Sequence, residues 1–159
     1  MISPYVEGCF TVYHKVGETI MNPIIKYIIA VIVGVVVGSG VNMGLVNIGP
    51  SIIPLPEGAD VSNMEALAKS MKLFSPANFL FPFLGHALGT LVAALVAAKI
   101  AGKHQIKFGL GIGVFFLLGG ITAASMIGGP LWFIVADLVL AYIPMGYLGG
   151  KMAVGADAA

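Results

Sequence analysis

Residues 73–98 read LFSPANFLFPFLGHALGTLVAALVAA, 26 positions without a single Asp, Glu, Lys or Arg. A helix that crosses a membrane needs about 20 consecutive, mainly apolar residues. Two similar stretches flank this one, because residues 27–56 have no charged side chain and residues 108–150 have only Asp137. The sequence therefore predicts a multi-pass membrane protein.

The stretch 108–150 is 43 residues long, too long for one span, and Gly128-Gly129-Pro130 interrupts it. Glycine ends helices, and proline suits the first position of a new helix. We therefore predict an all-α fold, a bundle of four transmembrane helices in one domain over residues 23–153. An N-terminal cytoplasmic extension (1–22) and a C-terminal tail (154–159) flank it. The predicted helices are residues 24–48, 76–100, 108–127 and 130–150.

The composition excludes several classes of protein. Hydrophobic residues make up 58% of the 159 positions and charged residues 9%, against about 25% charged in soluble domains. The net charge of +1 argues against nucleic-acid binding, which needs a basic patch. Cys9 is the one cysteine, so an internal disulfide or a multi-cysteine metal site is excluded.

Residues 1–22 do not resemble a cleavable signal, because Glu7 and Glu18 interrupt any apolar core. The segment Met21-Asn22-Pro23 reads like a translation start followed by a transmembrane helix. Residues 1–20 are thus either a cytoplasmic extension or lie before the natural start.

The distribution of lysines predicts the orientation, since basic residues concentrate on the cytoplasmic side. The side of the N-terminus has Lys15, Lys26, Lys99, Lys103, Lys107 and Lys151, and the other side has Lys69 and Lys72. We expect both termini in the cytoplasm.

The outer loop, residues 49–75, is the long connection of the fold. It opens with Pro50 and two further prolines, which favour extended backbone. Ser62 and Glu65 have the spacing of a capping box, and a short amphipathic helix is predicted over 63–74. This helix either covers the top of the bundle or lies on the membrane surface without such a role.

Small residues recur where helices should pack, since membrane helices associate through close backbone contact. In the second span a residue of this kind occurs at every fourth position from Gly85 to Ala97. The glycines that we expect at helix contacts are Gly34, Gly38, Gly85, Gly89, Gly113 and Gly120. His86 flanks this ridge and should face the bundle interior.

Two ionisable residues lie deep in the predicted spans, His86 and Asp137. A charge at mid-bilayer costs about 2.5–3.5 kcal/mol on insertion scales, so such residues face the interior and find a partner. We therefore expect these two residues to pair. The predicted intramembrane polar site consists of Asn42, His86, Thr90, Thr122, Ser125 and Asp137.

A His–Asp pair can relay a proton or hold a small cation or polar ligand. It can equally be a static hydrogen bond between two helices. No metal or other cofactor is predicted, because the ligand set is poor for a transition metal. Ser125, His86 and Asp137 together are the residue types of a Ser/His/Asp triad, but no Gly-x-Ser-x-Gly motif occurs. An enzyme is therefore the least favoured class.

Three short runs, Gly40–Gly44, Phe81–Thr90 and Asp137–Tyr142, and the overall layout resemble small bacterial four-helix integral membrane proteins without an assigned biochemical function. The resemblance covers about residues 22–153. It implies a multi-pass protein of the bacterial inner (plasma) membrane and gives no residue a catalytic role.

Two functions remain. The glycine ridges and the few charges favour a non-catalytic accessory or scaffold subunit that acts through helix packing in the bilayer, as a homo-oligomer or within a larger membrane complex. The alternative is a small proton- or ion-linked transporter with its site around His86 and Asp137, which lie at a depth similar to that of Asn42.

The predicted orientation can be tested with single cysteines in a Cys9→Ser background. Ser62→Cys should react with an impermeant maleimide from outside the cell, because the loop faces outward. Lys103→Cys should react only after the membrane is permeabilised. The reverse pattern would contradict the orientation.

Overall fold

In this computed structural model, residues 22–156 are described, and they form helices with no strand. Residues 1–21, most of the predicted extension, and the last residues of the predicted tail lie outside this range. The helices are α1 (Pro23–Ile52), α2 (Met64–Ser70), α3 (Leu80–Ala101), α4 (Gln105–Ile127), α5 (Leu131–Leu140) and α6 (Ile143–Ala156). A 3₁₀ turn, Pro76–Phe79, leads directly into α3.

Four segments are long and apolar enough to cross a membrane, with mean hydropathy between 1.8 and 2.4. They are α1, Pro76–Ala101, α4, and Leu131–Gly155, which contains α5 and α6. Large apolar side chains cover the outer surface, such as Leu118, which is 60% exposed. The predicted all-α, four-span fold of a multi-pass membrane protein is therefore confirmed.

Helix α3 lies at the centre of the bundle. Helix α1 packs along α3 and touches α4 at few points, whereas α3, α4 and α6 pack on one another. The rings of Tyr27 and Phe108 lie 5.0 Å apart, so the N-terminal ends of α1 and α4 are at the same end of the bundle. This arrangement leaves a gap between α1 and α4.

The contact between α1 and α3 is made by glycine and alanine, as predicted. A Cβ atom on Gly38 would lie 2.5 Å from the carbonyl oxygen of Gly89. A Cβ atom on Gly34 would lie 2.7 Å from that of Ala93, and one on Gly85 would lie 3.2 Å from that of Asn42. The two backbones are therefore close enough that only glycine fits at Gly34 and Gly38.

A second glycine contact joins α4 to α6. A Cβ atom on Gly113 would lie 3.0 Å from the carbonyl oxygen of Tyr142, and one on Gly146 would lie 2.6 Å from that of Gly109. Gly149 turns toward α3, where its Cβ atom would lie 2.6 Å from the carbonyl oxygen of Leu91. The glycines of α6 were not among the predicted packing residues.

Helix α1 is longer than the predicted 24–48, because it continues through Pro50 to Ile52. We expected Pro50 to open an extended segment. Proline lacks an N–H group, but in the last turn this removes a single helical hydrogen bond. The helical hydrogen bonding continues beyond the proline, since the Ile53 N–H donates to the Gly49 carbonyl at 2.8 Å.

The predicted single helix 130–150 is divided into α5 and α6 in the structure, with a break at Ala141–Tyr142. Pro144 is the second residue of α6, where the missing N–H group has no helical partner to lose. The helix also extends past 150 to Ala156.

The predicted helix 63–74 is present as α2 and a 3₁₀ helix, Met71–Leu73, that follows it directly. The predicted capping box is wrong. The N-cap is Asn63, whose Oδ1 accepts the Ala66 N–H at 2.9 Å. Ser62 is held in a turn, since its N–H donates to Asp60 Oδ1 at 2.8 Å. Glu65 pairs with Lys69 at 2.7 Å. The two hydrogen bonds with Ser62 also lower the pKa of Asp60.

Hydrogen bonds hold the outer loop above the bundle. Ser70 Oγ accepts the Asp60 N–H at 2.8 Å and donates to the Asp60 carbonyl at 3.0 Å. Asn78 Nδ2 donates to the Pro54 carbonyl at 3.1 Å. Helix α2 lies against α4, so the loop extends from the end of α1 across to α4.

Replacing Gly38 with alanine should separate α1 from α3, because the new methyl group would meet backbone. We expect a loss of about 1–3 kcal/mol in the free energy of unfolding, the usual effect of overpacking. Gly40→Ala is the matched control, since nothing lies within 4 Å of a Cβ atom there. Unfolding in mixed micelles measures both, and equal effects would contradict the packing described.

Candidate functional site

His86 of α3 and Asp137 of α5 are in contact inside the bundle. His86 Nδ1 lies 2.9 Å from Asp137 Oδ1 and 3.0 Å from Oδ2. The Asp137 side chain is 7% exposed and that of His86 is 27% exposed. The pairing that the sequence predicts is therefore present, with the acid deeper than the imidazole.

Tyr142 completes the cluster and was not among the predicted site residues. Its hydroxyl donates to Asp137 Oδ2 at 3.0 Å, and its ring stacks on that of His86, with centroids 5.8 Å apart. The break between α5 and α6 places Tyr142 beneath Asp137. One feature of the sequence points to this position, because Tyr142 follows Asp137 by five residues and precedes Pro144 by two.

Gly120 provides the space for this tyrosine. A Cβ atom at Gly120 would lie 2.5 Å from Tyr142 Oη, so any side chain would displace the ring. We predicted Gly120 as a helix-packing residue. Its contact is specific, because it accommodates the group that hydrogen-bonds Asp137.

Thr90 lies one turn below His86 on α3. Its hydroxyl donates to the His86 carbonyl at 2.7 Å, and the residue is 1% exposed. Such a bond to the preceding turn satisfies a hydroxyl inside a helix. Thr90 therefore borders the cluster without contacting the carboxylate.

Thr122 and Ser125 lie elsewhere, although the sequence grouped them with His86. Both residues are exposed on the outer face of α4. Thr122 donates to the Leu118 carbonyl at 2.9 Å, and Ser125 donates to the Thr122 carbonyl at 2.7 Å. Their position along α4 gives a depth near that of the pair, but their side chains point to a different side of the helix. Ser125 is therefore not assembled with His86 and Asp137.

A cavity of about 410 Å³ lies between α1, α3, α4 and α5, with His86 and Asp137 in its wall. Leu67 and Met71 of the outer loop line it as well, so α2 covers the top of the bundle. The volume lies within the range of about 300–1,000 Å³ that is usual for small-molecule sites.

A second, deeper cavity of about 140 Å³ adjoins Thr90, Phe116 and Tyr142. His86 and Asn42 line both cavities. Among residues 22–156, the Asn42 side chain has no hydrogen-bond partner. The imidazole of His86 thus lies between the larger, outer cavity and the smaller, inner cavity, and the side-chain amide of Asn42 borders both.

No protein-family model, curated protein or solved structure matches this chain. The resemblance to small bacterial membrane proteins stays a prediction.

Removing the hydroxyl of Tyr142 should destabilise the protein, because Asp137 would lose a donor in the bundle interior. For Tyr142→Phe we expect a loss of about 1.5–3 kcal/mol, the usual range for a hydrogen bond to a charged group. Tyr147→Phe is the control, since Tyr147 is 43% exposed. Chemical unfolding in mixed micelles gives both values. A Tyr142→Phe protein as stable as the control would contradict this role.

Proposed function

We propose that the protein is a small proton-linked transporter of the bacterial inner (plasma) membrane, with both termini in the cytoplasm. Its proton-exchanging group would be the His86–Asp137 pair. The observation that carries this proposal is the position of the pair in the wall of a cavity of about 410 Å³ between the spans.

The free nitrogen of His86 supports a proton-exchanging pair over a static one. Nδ1 is used by Asp137, and Nε2 has no partner among residues 22–156. Every buried side-chain N or O atom in that range has a partner, so Nε2 must be accessible from the cavities. A pair that only joins two helices would need no accessible nitrogen.

The chemistry follows from the three contacts of Asp137. Nδ1 of His86 is engaged by the carboxyl group, so Nε2 is the atom that takes up a proton from the outer cavity and releases it again. Any solute that binds the two protonation states of the site unequally is then thermodynamically linked to protonation. The inner cavity beside Thr90 and Tyr142 extends the polar path deeper into the bundle.

A second candidate is the accessory or scaffold subunit, and one observation favours it. Gly40 and Gly44 are exposed on α1, and no atom of another element in residues 22–156 lies within 4 Å of a Cβ atom on either. Two glycines at this spacing on a free face are typical of a contact between transmembrane helices. A second copy of the chain or a larger membrane complex would supply the partner helix.

Proton flux in vesicles tests the transporter. Purified protein is reconstituted with an internal pH-sensitive dye, and a pH step with valinomycin and potassium drives the flux. We expect wild type to exceed protein-free vesicles. His86→Gln, which removes the titratable ring but keeps a polar side chain, should fall to their rate. Thr122→Ala, outside the cluster, should equal wild type.

Two results would overturn the proposal. One is a wild-type flux equal to that of empty vesicles, and the other is a folded His86→Gln or Asp137→Ala protein with unchanged flux. Thermal unfolding in detergent accompanies each measurement, because a static pair predicts loss of folding on substitution.

Purification in mild detergent tests the accessory role. A constant companion protein that is lost in a Gly40→Leu, Gly44→Leu variant would support it, since no other helix among residues 22–156 packs against these two positions. A clean monomer or homo-oligomer would count against a larger complex.

A further inference from the structure

The charge balance of the outer cavity restricts what it can hold. Within residues 22–156, His86 and Asp137 are the only ionisable side chains in its wall. The two groups already balance each other, and burial of a further net charge beside them is costly. A cation finds little carboxylate surface, since Asp137 is 7% exposed, and an anion would lie beside the carboxyl group of Asp137. An uncharged ligand fits best.

The polar groups at one end of the cavity select a hydroxyl. In a neutral pair, Nε2 of His86 carries a proton and donates, and after loss of that proton it accepts. A hydroxyl matches both states because it donates and accepts. Asn42, whose amide has no partner among residues 22–156, lies in the same wall. Asn78 also lines the cavity, but its side chain is already hydrogen-bonded within the protein. Its Nδ2 donates to the Pro54 carbonyl, and its Oδ1 accepts from Ser75.

The rest of the wall is mainly apolar, and its further polar side chain, Asn47, donates through Nδ2 to the Met43 carbonyl at 2.7 Å. It includes Phe81 of α3, Ile134 of α5, and Leu67 and Met71 beneath the outer loop. An apolar body attached to the hydroxyl would be buried there, at about 25 cal/mol for each Å² removed from water.

The cavity is open toward the side of the bundle. Met43 of α1 lines it and is also 61% exposed on the outer surface. On the opposite side of the gap stands Ala123 of α4, and α1 and α4 touch at few points. The gap lies between two membrane-spanning helices, α1 and α4, and therefore opens to lipid. The outer loop covers the top of the cavity.

We infer that the cavity binds an uncharged amphipath, with a hydroxyl at His86 Nε2 and Asn42 and an apolar body beneath α2, admitted from the lipid between α1 and α4. The inference rests on the proposed function in that it takes this cavity for the substrate site.

Photolabelling in lipid nanodiscs tests this. The probes are dodecanol, dodecyl phosphate and dodecyltrimethylammonium, each with the same diazirine in its chain, and crosslinks are mapped by mass spectrometry. We expect the alcohol to label the wall around Met71 and Ile134, and the two charged probes to label it much less. Asn42→Ala, which leaves the His86–Asp137 pair intact, should reduce labelling about fivefold, the effect of one hydrogen bond. Thr122→Ala is the control.

Equal labelling by the three probes, or unchanged labelling of Asn42→Ala and His86→Gln, would overturn the inference. The vesicle flux measurement, made with the same purified proteins, separates the two proposals. Alcohol-specific labelling without His86-dependent flux would support this inference and remove the transporter. Flux without labelling by the alcohol would overturn this inference and leave the transporter.

Discussion

The structure depends on one constraint, which is that the carboxyl group of Asp137 must be hydrogen-bonded where neither water nor lipid can do so. Three elements meet this need. Helix α3 supplies Nδ1 of His86, the break after α5 supplies the Tyr142 hydroxyl, and α4 supplies space through Gly120. Each acts across a helix contact. The acid therefore fixes how α3, α4 and the fourth span lie relative to one another.

Helix α1 stands apart from this cluster. It is attached to α3 through backbone contacts at Gly34 and Gly38, and it hardly reaches α4. The rings of Tyr27 and Phe108 fill the space between α1 and α4 at one end of the bundle. Toward the other end the cavity lies between the two helices, lined by Met43 of α1 and Ala123 of α4. Gly34 and Gly38 thus hold α1 against one face of α3. In this position α1 leaves the cavity open beside His86.

The spans, the glycine ridge of α3 and the contact of His86 with Asp137 could be predicted from the sequence. Each follows from a strong local rule, namely hydropathy, a four-residue repeat of small residues, or the cost of an isolated charge in lipid. Thr122 and Ser125 were misplaced because depth along a helix does not give direction around it. The depth of Tyr142 suggests a polar group below the pair, but its hydrogen bond to Asp137 could not be predicted. That bond depends on a helix break, which brings together residues that a continuous helix would place on different faces.

The break at Ala141–Tyr142 has a mechanical consequence. The helical bonds on either side are complete without it, since Ala141 N–H donates to the Asp137 carbonyl and Gly146 N–H to the Tyr142 carbonyl. The two halves of the fourth span can therefore differ in direction without the loss of a helical hydrogen bond. The bonds of Asp137 to His86 and Tyr142 set the direction of α5 relative to the rest of the bundle.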